Sequence, residues 1–114
     1  MFENVIADIL AVSGVKGVYI IDSEGALIES ESVSSSDDEM CAALIVEIFN
    51  KASDVVDKLF SDEVEIIMID GKKDKIVASK AGDIVVGVVA DHKTNYGLLK
   101  IELRKAVEKI SAMV

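Results

Sequence analysis

The chain has one cysteine, Cys41, one histidine, His92, and one arginine, Arg104. Nucleophilic catalysis needs a nucleophile, a base and a group that orients the base. Cys41 falls on an apolar stripe of a helical pattern, where burial raises a thiol's pKa and leaves it inert. His92 falls in a turn between Asp91 and Lys93 and reads as a surface histidine. One His and one Cys with scattered carboxylates do not make a zinc site. Asp22-Ser-Glu-Gly25 is too short for a calcium loop, whose ligands spread over about twelve residues. Gly14-Val-Lys-Gly17 lacks the frame of a phosphate-binding loop, and no G-x-G-x-x-G is present. No cofactor is expected, and the catalytic set of an enzyme is missing. Asp37 and Asp38 are accounted for by helix capping. Lys72-Lys73 reads as a solvated turn, although it is the most exposed basic feature and suits an acidic partner.

The elements around these residues follow from hydrophobic spacing. Phe2, Val5, Ile6, Ile9 and Leu10 recur at helical intervals, and Ser13-Gly14 ends that helix. Val15 to Asp22 reads as a strand apolar on both faces, hence central. Asp22-Ser-Glu-Gly25 is a hairpin turn, and Ala26 to Ser32 is a strand whose polar far half suits a sheet edge. After a loop at Ser34-Ser35-Ser36, Ser36 and Glu39 read as a capping box opening a helix that runs to Phe60. Glu63 to Asp70, Lys75 to Lys80 and Ile84 to Ala90 read as strands joined by turns at Gly71–Asp74 and Gly82-Asp83. Thr94 is placed as the cap of a last helix with the stripe Tyr96, Leu99, Leu103, Ala106, Val107, Ile110, Met113. Leu98 and Ile101 lie off that stripe and are assigned to contacts with the first helix.

The order is α-β-β-α-β-β-β-α. Short turns pair strands antiparallel, and strands apolar on both faces need cover on both. The expected fold is an α/β (α+β) three-layer sandwich, with a five-stranded, antiparallel-rich sheet between helices. Residues 1–114 suit a single domain.

The formal net charge is −9, and residues 1–65 hold 15 acidic and 3 basic side chains. Asp22 to Glu39 carries seven carboxylates and no Lys or Arg. Nucleic acid is excluded as a partner, because phosphate neutralisation needs clustered cations. No apolar run approaches the ~20 residues of a membrane span. The start lacks a signal peptide's basic flank, and a lone cysteine suits a reducing compartment. A soluble, cytoplasmic protein is expected.

The helix from Ser36 to Phe60 carries more apolar surface than one small core can cover. One stripe is Cys41, Leu44, Ile45, Ile48, Ala52, Val55, Leu59; a second is Ala42, Val46, Phe49, Val56, Phe60. Together they cover roughly 200° of the wheel, against the ~100° that one core needs. The strand at Ile66-Ile67-Met68-Ile69 is also apolar on both faces. At a sheet edge it would be adhesive, and pairing with a second copy about a two-fold axis would satisfy it.

With these elements in place, the chain resembles the roadblock/dynein light chain family over nearly its whole length. The resemblance rests on Val15-Lys-Gly-Val-Tyr-Ile-Ile-Asp-Ser-Glu-Gly25 and on Thr94-Asn-Tyr-Gly-Leu-Leu-Lys-Ile-Glu-Leu-Arg104. Gly25, Asn95, Gly97, Leu99 and Leu103 carry the family signature. Members usually form homo- or heterodimers by joining third strands into one sheet, with the second helices side by side. That implies an interface at Val64, Ile66 and Met68 and at Val46, Phe49, Val56 and Phe60. Many prokaryotic members regulate small Ras-like GTPases, some by stimulating hydrolysis, and others are scaffolds. The resemblance implies a non-enzymatic homodimer with a Ras-like GTPase partner. Arg104, on the last helix, would lie across the sheet from GTPase docked on the second helices. The alternative is a small-ligand sensor, or a scaffold unrelated to GTPases.

Overall fold

The computed structural model describes residues 1–33 and 37–113 of the chain. The elements run α1 (Glu3–Leu10), β1 (Val15–Asp22), β2 (Leu27–Ser32), α2 (Asp38–Phe60), β3 (Ile66–Asp70), β4 (Asp74–Ala81), β5 (Ile84–Asp91) and α3 (Tyr96–Met113). The order and the α+β class match the sequence reading. All four strand pairings are antiparallel, in the sheet order β2-β1-β5-β4-β3.

The period-2 alternation of the strands divides the core into two halves. Val18, Ile20, Val77, Val86 and Val88 point to one face, under Val5, Ile6 and Ile9 of α1 and Leu99, Leu103 and Ile110 of α3. Tyr19, Ile21, Ala78 and Val85 point to the other, under Ala42, Ile45, Val46 and Phe49 of α2. One helix thus covers a face that two helices cover on the opposite side. Gly87 allows α2 its close approach: a Cβ there would lie 2.9 Å from Ile45 Cδ1.

Several boundaries differ from the sequence reading. Ser36 lies outside the described residues, and Asp37 caps α2 by accepting from the Met40 N–H at 3.1 Å. Asn95, not Thr94, caps α3, accepting from the Leu98 N–H at 3.0 Å. Both types are good caps, and the helix starts one residue later. β3 begins at Ile66 rather than Glu63, because the ladder with β4 starts at Ile66 opposite Ser79. The Ser79 hydroxyl closes that end by donating to the Glu65 carbonyl at 2.6 Å. Leu98 and Ile101 are not buried against α1; both are exposed on α3.

Thr94 is buried instead, and its hydroxyl has no hydrogen-bond partner among the described residues. It packs against Gly14, which holds a φ of +94° between α1 and β1. A Cβ at Gly14 would collide with Thr94 Oγ1. Left-handed backbone and overpacking each cost about 1–3 kcal/mol. Gly14→Ala is therefore expected to lower stability by about 2–4 kcal/mol in urea titrations. Adding Thr94→Ala should recover the steric part of that loss and leave the backbone part.

Candidate partner-binding surface

The two apolar stripes of α2 have different fates. Ala42, Ile45, Val46 and Phe49 sit on the sheet, with Phe49 only 1% exposed. Leu44, Ile48, Val55 and Leu59 recur at i, i+4, i+11 and i+15 and are exposed, Leu59 by 68%. At 100° per residue the second group is turned roughly 120° away from the first. Met40 extends this exposed row at the N-terminal end, and Phe60 is exposed beside its C-terminal end.

Two neighbours fix which way the row faces. The β1–β2 turn at Gly25 lies against Ala43 and Val46, on one flank of the helix. Ala52 and Val56, on the other flank, share a groove of about 360 Å³ with Val64, Ile66 and Ile67. The uncovered row therefore lies on the β3 side. β3 is the last strand of the sheet and, among the described residues, pairs only with β4. Its outer N–H and C=O groups are open. Ile67 packs with the α2-side cluster and Ile69 shares its face by alternation. Ile66 packs with the α1/α3-side cluster, and Met68 shares that face. Met68 and Ile69 are both exposed.

The residues that the resemblance places at an interface fall in different places in the subunit. Val46 and Phe49 are spent inside the subunit and are not on the open face. Val56 and Val64 are half-buried at the groove, and Phe60 is exposed. Ile66 and Met68 belong to the face away from α2. Leu44, Ile48, Val55, Leu59 and Ile69 are exposed as well and were not among the residues expected there. The first four stood in the other stripe, and periodicity alone does not say which stripe meets the sheet.

The residues on which the family resemblance was read have structural places. Gly25, at φ +93°, closes the β1–β2 hairpin, where Asp22 Oδ1 accepts from the Glu24 and Ala26 N–H groups. Asn95 caps α3, Gly97 sits in its first turn, and Leu99 and Leu103 are fully buried. A family model for the Roadblock/LC7 domain matches residues 1–90.

The chain belongs to the Roadblock/LC7 family.

A relative in Methanocaldococcus jannaschii, the uncharacterised protein MJ1340, is 30% identical over 113 residues, spanning 99% of both chains. Two solved structures share the Roadblock/LC7 fold. A Roadblock/LC7 domain from Streptomyces avermitilis superposes with a TM-score of 0.90 at 12% identity, over 97% of this chain and 95% of that one. Myxococcus xanthus MglB superposes with a TM-score of 0.86 at 21% identity, over 98% and 95%.

His92 and Arg104 lie apart from the exposed row of α2, whereas Cys41 shares its side of the helix. Cys41 is half-buried on α2, and burial pushes its thiol up. His92 is exposed in the β5–α3 turn, with Nδ1 3.1 Å from the Lys73 carbonyl. Arg104 lies on α3, across the sheet from α2, and both Nε and Nη2 donate to Glu65 Oε1 at 2.8 and 2.7 Å. Among the described residues no helix is long and apolar enough to cross a membrane.

Proposed function

We propose that the protein is a non-enzymatic, cytoplasmic homodimer that regulates or scaffolds a small Ras-like GTPase. The observation that carries this reading is the uncovered apolar row of α2 beside the open edge of β3. A two-fold axis at that edge joins two β3 strands antiparallel and brings the two rows together on one side of the shared sheet. Family membership supplies the partner class: many prokaryotic roadblock proteins act on such GTPases. The paired α2 helices are the docking platform.

Any stimulation of hydrolysis works by ordering the GTPase's own switch residues. The one arginine is held by Glu65 on the far face, out of reach of a nucleotide docked over α2. The test is co-elution with each Ras-like GTPase of the source genome, loaded with GDP or with a non-hydrolysable GTP analogue. One pair is expected to co-elute in a nucleotide-dependent way. Arg104→Ala should leave stimulated hydrolysis within about twofold; loss of the 10³-fold or more that an arginine finger supplies would refute the mechanism. Failure to bind any GTPase in either state would refute the partner.

A further inference from the structure

The outer edge of β3 has a definite hydrogen-bonding phase. The Gly71 N–H donates to the Asp74 carbonyl at 2.9 Å, so the main-chain groups of Gly71, Ile69 and Ile67 turn inward to β4. Those of Ile66, Met68 and Asp70 turn outward. The side chains of the same three residues alternate onto the α3 side of the sheet, where Ile66 packs. An antiparallel partner related by a two-fold axis engages all three in one register alone. That register sets Met68 opposite itself and Ile66 opposite Asp70.

Charge selects the same register. Lys100 of α3 lines the groove beside Ile66, together with Glu63 and Glu65. Asp70 and the Lys72-Lys73 turn lie at the other end of the strand. Among the described residues Glu63, Asp70, Lys72, Lys73 and Lys100 make no ion pair. With Met68 on the axis, Asp70 meets the partner's Lys100, and the Lys72-Lys73 turn comes level with the partner's Glu63. Sliding the pairing by two residues one way sets Lys72 against the partner's Lys100. Sliding it the other way sets Asp70 between the partner's Glu63 and the partner's Glu65. Either slide places like charges together.

We propose that two copies join their β3 edges with Met68 on the two-fold axis, and that ion pairs between Asp70 and the partner's Lys100 fix this register. The proposal rests on the homodimer reading above and adds the register and its selectivity. An exposed ion pair contributes little by itself. The apolar row of α2 and the strand hydrogen bonds therefore hold the dimer, and the charges decide how it is aligned. A related chain lacking either charge would forfeit at least one of the two pairs.

Cysteine coupling reads the register. In a Cys41→Ala background, a single cysteine is placed in turn at each position from Ile66 to Asp70, and the protein is mildly oxidised. Met68→Cys is expected to couple to itself, because facing Cα atoms about 5.5 Å apart lie within disulfide reach. Self-coupling at Ile67→Cys or Ile69→Cys in its place would overturn the register. So would a dimer that couples at none of the five. Dilution series read the charges. Asp70→Lys and Lys100→Asp should each weaken the dimer about tenfold, since the two-fold axis repeats every loss. The double swap should recover most of that loss. A dimer indifferent to the single changes, or not rescued by the swap, would overturn the ionic alignment and leave the homodimer standing. Unmodified protein that stays a single chain at high concentration would remove the homodimer, and this proposal with it.

Discussion

Replacing Leu44 and Ile48 together with glutamate is expected to split the proposed dimer while leaving each subunit folded. Both side chains lie in the uncovered row of α2 and contribute nothing to the buried cluster on the sheet. A two-fold contact counts every substitution twice, so four carboxylates enter one seam. Each lost apolar anchor costs about 1–2 kcal/mol, before any repulsion between the new charges. The dissociation constant should rise on the order of 10³- to 10⁴-fold or more. Light scattering across a dilution series reads this directly: the unmodified protein at two chains, the variant at one. The thermal midpoint measured at low concentration should barely differ. Asn50→Glu, on the helix flank that faces away from β3, should leave the dimer intact. A protein already single at high concentration would remove the interface and the platform built on it.

Phe49→Ala should do the reverse. Phe49 is 1% exposed and central to the α2-side core. Emptying such a position costs about 3–5 kcal/mol, a large share of the 5–15 kcal/mol that holds an ordinary domain folded. The urea midpoint should fall sharply. Dissociation should follow only as a consequence of unfolding. Were Phe49 an interface anchor, the variant would come apart at unchanged subunit stability. Phe60→Ala, by contrast, removes a ring that is 69% exposed and should leave subunit stability nearly unchanged.

The strands were legible because each face demands its own apolar set. Val18 and Ile20 go one way, Tyr19 and Ile21 the other, and only a central strand needs both. The polar far half of β2 announced an edge for the same reason. That α2 carries surplus apolar surface was equally plain. Which of its rows meets the sheet was not, since Leu44 and Val46 are equally apolar. The choice depends on where α2 comes down on the sheet, over Gly87 and beside Gly25, and that is a tertiary fact. The β3 residues were legible as an adhesive strand. Their division between faces was not, because the ladder starts only at Ile66 and Val64 lies outside its alternation. The shift of the α3 cap from Thr94 to Asn95 is of a different kind. Two adjacent residues could each serve, and the need to bury Thr94 against Gly14 decided between them.

The middle of the sheet has a bearing on how the chain assembles. The hairpins β1–β2, β3–β4 and β4–β5 each join neighbours in sequence. The seam between β1 and β5 joins Val15 to Ala90 and Asp22 to Ile84. Bringing such distant segments together carries a loop-closure cost that local hairpins escape, and contacts of that range slow folding. On the ribosome, β1 therefore waits for its partner until β5 emerges, with Tyr19 and Ile21 lacking the Val85 side of their core. Late closure of this seam makes the last quarter of the chain decisive for the fold, although its first hairpin is complete by Ser32.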